Sequence, residues 1–132
     1  MRELKVETKR KTQLLDVTDE VRALVAGHEG SLATLFVPHT TAGIVLQAAG
    51  EGATAVAGDI EGALERLIDE GWSWGHLNEG DANPWAHVRA TLTASSVSIP
   101  LIAGELALGD HQAVFLAEFD GPRERTIWIT VS

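Results

Sequence analysis

Four histidines in this 132-residue chain stand beside turn-forming residues: His39, His76, His87 and His111. Neutral imidazole is the commonest protein ligand for zinc and a frequent acid–base group near neutral pH. Cysteine is absent, so thiolate chemistry and disulfides are excluded, and any metal must be held by His, Asp or Glu. The histidine spacing matches no compact zinc motif such as H-E-x-x-H. His39 and His87 rank first, because each stands where a loop meets a regular element and a scaffold can fix the ring. For His87 the start of a solvated strand face is an equally good reading. His111 reads as a solvated strand-start residue. His28, in Gly27-His28-Glu29-Gly30, reads as an exposed turn residue.

The neighbours of His39 extend its chemistry. Pro38-His39-Thr40-Thr41-Ala42-Gly43 offers two hydroxyls and a Gly-bearing turn, a combination that can hold an oxyanion or a phosphate and that also occurs in ordinary turns. Glu118 interrupts an apolar strand between Ala117 and Phe119, and a buried carboxylate needs a partner. Arg123 and Arg125, across the turn at 120–123, could supply it. An ion pair that staples this hairpin is the more ordinary reading of Glu118 and a catalytic carboxylate the sharper one. Arg89 falls on the same predicted face as His87 and is the candidate anion contact beside it.

The elements that must position these groups follow from residue patterns. Gly80, Asn83 and Pro84 are turn formers, so Glu79 to Trp85 reads as a loop. From His87 the pattern alternates, with Val88, Ala90, Leu92 and Ala94 on one face and His87, Arg89, Thr91 and Thr93 on the other. This predicts a strand beginning at His87. Ser31 to Val37 is apolar on both alternations and predicts a central strand covered on both faces. Thr18, followed by Asp19 and Glu20, predicts the N-cap of a short helix ending at Gly27. Val56, Ile60, Leu64, Leu67 and Ile68 recur at helical spacing and predict a helix within 51–70, closed by Gly71. Further strands are expected over 3–8, 14–17, 44–47, 113–119 and 125–131. Another over 96–102 is broken by Pro100, as in an edge or bulged strand. The expected fold is α+β: a single compact domain, residues 1–132, of mostly antiparallel strands with two helices.

Bulk properties narrow the function. The hydrophobic fraction is 45% and the charged fraction 22%, as in ordinary globular proteins. The formal net charge is −9, which argues against nucleic-acid or acidic-membrane partners, since both need a basic face. There is no apolar signal core and no apolar run long enough to cross a membrane, so a cytoplasmic location is expected.

Four ordered motifs carry a family resemblance. They are Phe36-Val37-Pro38-His39-Thr40-Thr41-Ala42-Gly43-Ile44; Glu79-Gly80-Asp81-Ala82-Asn83 leading to Ala86-His87-Val88-Arg89-Ala90; Ser95-Ser96 to Ile99-Pro100; and Glu118-Phe119-Asp120-Gly121-Pro122-Arg123. The chain resembles the YjbQ-like proteins, also called the secondary thiamine-phosphate synthase family, over nearly its whole length. The resemblance implies a compact α+β domain that forms a homotrimer. It also implies a weak, secondary ability to make thiamine phosphate from phosphorylated pyrimidine and thiazole precursors, with metal binding in some members. The family's polar cluster falls here on His39, Thr40, Thr41, His76, Asp81, Asn83, His87, Gln112 and Glu118. Where the family usually has Asn-Glu after the first motif, this chain has Gln47-Ala48. Where it usually has Gly-Thr-Trp-Gln, this chain has Gly109-Asp110-His111-Gln112, and Trp85 stands where a second histidine often precedes the conserved one.

Two functions follow. In the first, the chain is a thiamine-phosphate synthase-like transferase. His39, His87 and Glu118 are then catalytic, and Thr40, Thr41, Asp81, Asn83, Arg89 and Gln112 bind substrate. A divalent zinc or magnesium ion, held by His39, His76 and His87, would offset leaving-group charge. In the second, the same residues bind a metal or a small, phosphorylated molecule in a non-catalytic homotrimer, a reading that the absent glutamate at Ala48 favours.

Overall fold

The computed structural model of the chain describes residues 1–49, 53–75 and 83–132. Two antiparallel sheets face each other. The larger joins β1 (Arg2–Glu7), β8 (Glu124–Val131), β3 (Leu32–Phe36), β5 (Ser96–Ile102) and the two-residue β6 (Glu105–Leu106), in that order. The smaller joins β2 (Gln13–Asp16), β7 (Gln112–Glu118) and β4 (Ala42–Ala48). Strand alternation fills the space between the sheets. Ala33, Leu35 and Val37 point inward from one sheet with Ile99, Ile127 and Ile129, and meet Ile44, Val114 and Leu116 from the other. Helix α1 (Thr18–Val25) adds Val21 and Val25 to this core.

The second face of the small sheet is covered as well. Ala113, Phe115 and Ala117 of β7 pack with Leu14, and with Ala57, Ile60 and Leu64 of α2 (Ala53–Leu67) and Ala86 of α3 (Pro84–Thr91). β7 is therefore the strand covered on both faces, its residues buried from Ala113 onward. The matching expectation for β3 is corrected, because only one of its faces is covered within the chain: Phe36 is 40% exposed and stacks on Trp128, while Thr34 is half-buried. No helix of the described residues packs on this outer sheet face. Pro100 sits near the sheet edge, with only β6 beyond it, where its missing N–H costs no long ladder.

Two local predictions are overturned. The strand expected from His87 is the helix α3, so the described residues hold three helices rather than two. Pro84 occupies the first helical turn, where it loses no hydrogen bond. Ala86, Arg89 and Ala90 then recur at helical spacing against the core, and this burial outweighs the alternation of Val88, Ala90 and Leu92. Thr18 is not an N-cap either, since Val17 holds that position. The Thr18 hydroxyl instead donates to Asp16 Oδ1 at 2.6 Å and accepts from the Val114 N–H at 2.9 Å, tying α1 to β7.

The two sheets are stitched together where the chain leaves α3. Ile44 N–H donates to Ala94 O at 2.8 Å, and Val37 N–H donates to Ser95 O at 2.8 Å. Gly43 makes the approach feasible: a Cβ there would stand 2.8 Å from Ala94 O and run into the Thr93 side chain.

Candidate functional site

The site begins where β3 stops. The strand ends at Phe36, opposite Trp128, and Pro38 follows two residues on. Proline has no N–H to continue the ladder, and the chain turns away. On β8, two residues before Trp128, the Thr126 N–H donates to His39 Nε2 at 2.9 Å. His39 is thus fixed against β8 by its own ring.

Beneath the loop lies a buried polar network. Glu118, completely buried, projects between the sheets from the end of β7, and Arg125, 3% exposed, projects from β8. Arg125 Nε donates to Glu118 Oε2 at 2.8 Å and its Nη2 to Glu118 Oε1, so the pair bridges the two sheets. The same Nη2 reaches the Thr41 hydroxyl at 2.8 Å and the Thr41 carbonyl at 3.3 Å. Thr8 and the N–H groups of Phe119 and Asp120 complete the carboxylate's bonds. Burial alone would raise the Glu118 pKa, but the hydrogen bonds from Arg125, Asp120 and Thr8 outweigh it and hold the carboxyl below its ordinary value. The expectation that Glu118 is buried and pairs with an arginine is met by Arg125. Arg123 instead bonds Asp120 Oδ2 at 2.9 Å.

Asp120 secures the other half of the site. Its Oδ1 accepts from Asn83 Nδ2 at 2.7 Å, which fixes the residue just ahead of α3 to the β7–β8 turn. One turn of chain, 118–123, therefore anchors both the His39 loop and the helix that carries His87.

His39 and Thr40 on one wall, and His87, Thr91, Thr93 and Ser95 on the other, line a single groove of about 410 Å³. The Thr91 hydroxyl donates to His87 O at 2.8 Å and that of Thr93 to Ala90 O at 2.7 Å, so both retain acceptor lone pairs. A larger hollow, of about 470 Å³, lies beside α1 between Arg22 and Glu105 and is lined by no histidine or hydroxyl. Burial lowers the His39 pKa from its ordinary value; Arg125 and Arg123 lower it further and Glu118 opposes them.

The remaining expected site residues are dispersed. Thr41 is buried on Arg125 rather than lining the groove. Arg89 is 2% exposed, and its guanidinium donates to Ile68 O at 2.7 and 3.1 Å and to Glu65 O at 3.5 Å, at the C-terminal end of α2. The expectation that it lies beside His87 on a polar face is corrected: on a helix, residues two apart point in different directions. Gln112 begins the strand that Glu118 ends, about 20 Å away at 3.3 Å per residue, and its side chain accepts from Gly109 N–H. Gln47 and Ala48 lie equally far from His39, at the distal end of β4, and His111 is exposed. His76 and Asp81 lie outside the described residues. The sequence reading missed Thr91, Thr93 and Ser95, although hydroxyl residues at every second position from 91 were a visible signal.

A two-sheet α+β domain with an imidazole- and hydroxyl-lined groove at one end of β3 and β4 defines the class. A family model described as "UPF0047 protein YjbQ-like" matches residues 2–132, and the chain belongs to this family. A UPF0047 protein of Archaeoglobus fulgidus is 37% identical over 125 residues, 95% of each chain. The UPF0047 protein YugU of Bacillus subtilis is 32% identical, covering 98% of this chain and 96% of its own. Among solved structures, a conserved hypothetical protein of Thermus thermophilus matches with a TM-score of 0.90 at 36% identity, covering 100% of both chains. A hypothetical protein of Aeropyrum pernix gives 0.89 at 34%, covering 99% of this chain and 96% of that one. No helix among the described residues is long and apolar enough to cross a membrane.

Proposed function

We propose that the groove between His39 and His87 binds a small phosphorylated molecule, and that the protein works as a homotrimer. The observation that carries the ligand reading is the meeting of two imidazoles from separate elements in one groove with the hydroxyls of Thr40, Thr91, Thr93 and Ser95. Such a lining offers imidazole and hydroxyl donors and acceptors that the oxygens of a phosphorylated molecule can use. Joining the phosphorylated thiazole and pyrimidine precursors of thiamine phosphate is the transfer that the family suggests. In it the thiazole ring nitrogen would bond to the pyrimidine's methylene carbon as the bond to diphosphate breaks; His87 would give a proton to the departing diphosphate, and Thr40 would hold a phosphate oxygen. The described residues do not by themselves compose a metal centre: no three His, Asp or Glu side chains stand together among them, and His39 Nε2 already accepts a backbone N–H.

A non-catalytic binding protein is the second reading. It keeps the groove as a ligand site and asks no side chain to react; the Gln47-Ala48 departure from the family pattern lies at the far end of β4, where the Gln47 side chain accepts from the Ala48 N–H at 2.9 Å. Calorimetry with the two precursors, run beside an assay for thiamine phosphate, separates the readings. Binding with turnover that is lost in His87→Ala supports the transferase, binding without turnover supports the second reading, and absence of binding rejects the groove as their site.

The trimer is supported by the uncovered face of the large sheet, where Phe36, Trp128 and the 69% exposed Ile102 lie. Light scattering should give three times the 14.1 kDa chain mass, and Phe36→Lys should lower it. A single-chain mass for the parent at micromolar concentration would reject the trimer.

A further inference from the structure

Resting on the groove reading above, we propose that His39 is locked as the Nδ1–H tautomer and gives that proton as a hydrogen bond to a phosphate oxygen of the ligand, serving neither as a metal ligand nor as a general base. The argument starts from the 2.9 Å contact between Thr126 N and His39 Nε2. A backbone N–H can only donate, so Nε2 must present a lone pair, and the proton of the neutral ring must sit on Nδ1. Moving the proton to Nε2 would set two hydrogens against each other across 2.9 Å. Turning the ring away would leave the Thr126 N–H unsatisfied in a half-buried place.

The consequences for chemistry follow. A metal at Nε2 would have to displace the Thr126 N–H, and a metal at Nδ1 would have to displace a proton from an already neutral ring. A general base needs a free lone pair, and the only one His39 has is engaged. What remains is Nδ1–H, for which no acceptor exists among the described residues, on a ring that lines the groove. Arg125 acts on this ring more strongly than Glu118 does, and Arg123 adds to it, so the acceptor best suited to the place is an oxyanion. The Thr40 hydroxyl lines the groove beside it.

Long-range proton–nitrogen spectra of protein labelled with ¹⁵N-histidine test this directly, His39 being assigned from the signals lost in His39→Gln. The expected result is a protonated Nδ1 and a bare Nε2 at neutral pH. Added inorganic phosphate should move the His39 Nδ1 signal, and zinc chloride should not move either ring nitrogen of His39. In phosphate titrations, His39→Asn, whose amide N–H stands near the Nδ1 position, should keep most of the affinity. His39→Gln, whose amide stands near Nε2, should lose about tenfold or more, the effect of one missing bond to a charged acceptor. A proton on Nε2, or zinc bound to His39, overturns the proposal. If phosphate moves His87 but not His39, the donor role falls while the groove stands as a ligand site. If phosphate moves neither ring, the groove reading falls and takes the donor role with it.

Discussion

Glu118→Ala is expected to destabilise the protein by about 3–5 kcal/mol, because it strands the Arg125 guanidinium between two sheets. The loss is larger than that of a surface ion pair, since both side chains are almost fully shielded from water and neither can recover its hydration. The variant also frees the Thr8 hydroxyl and two backbone N–H groups from their acceptor. In a chain of this size the cost should appear as a fall in melting temperature of at least about 10 °C. A fall of a degree or two would mean that the pair contributes nothing net. The pH dependence has a fixed sign. The carboxyl is held below its ordinary pKa in the folded state, so its contribution is fully present above the ordinary carboxylate value and is lost as pH falls through the lowered one. Acid unfolding of the parent should therefore be steeper than that of Glu118→Gln, which has no such proton to take up. Equal acid profiles would remove Glu118 from the account of acid stability.

Arg89→Met is expected to cost about 1.5–3 kcal/mol, and Arg89→Ala more because it also leaves a cavity. The guanidinium donates to carbonyls rather than to a carboxylate; its counter-charge is the end of a helix. Ile68 O and Glu65 O belong to the last turn of α2 and its continuation, where carbonyls lack intrahelical donors and carry the negative end of the helix dipole. Two effects oppose each other. Burying the cation is costly, the more so since its Nη1 has no partner, and methionine would relieve that. Methionine would also leave the Ile68 carbonyl buried without a donor. The second effect should win, because the planar fork reaches two carbonyls that no other side chain among the described residues serves. Denaturant unfolding of the two variants beside the parent decides it: an Arg89→Met protein as stable as the parent would show that desolvation wins and that the clamp is not stabilising. Arg89→Lys should also fall short of the parent, since a point charge cannot span both carbonyls.

These two residues show what could be read in the chain and what could not. Glu118 declared itself, because a carboxylate inside Ala113–Phe119 has no reason to be there without a cation, and Arg125 lay one hairpin away. The long helix α2 was equally plain in its spacing, whereas the strand covered on both faces was expected at β3 and is β7. Arg89 was misread because the stretch from 86 to 94 fits two periods at once. Read in twos, it places Arg89 beside His87; read in threes and fours, it places Arg89 in the core. Pro84 at a first helical turn was the clue that separates them. The bond between His39 and Thr126 spans 87 residues, and no local pattern encodes it. It joins the loop after β3 to a backbone group of β8, two elements far apart in the chain. Of the residues singled out from the family motifs, His39, Thr40 and His87 line the groove, whereas Thr41, Arg89 and Glu118 are buried in other contacts.

The position of β8 has a consequence for how the molecule comes into being. This strand, the last of the two sheets, is not at the margin but lies between β1 and β3. A ribosome delivers it after both neighbours, so the first strand must wait through roughly 120 residues of synthesis for the partner that closes it. Until then Glu118 is without Arg125, the Thr41 hydroxyl lacks its donor, and Thr126 is not there to orient His39. The strand edges of β1 and β3 are open during the same interval, which is when a nascent chain is most exposed to wrong pairing. Assembly of the groove therefore waits on β8, and a chain interrupted before residue 124 carries both histidines without the strand that fixes His39 and pairs with Glu118.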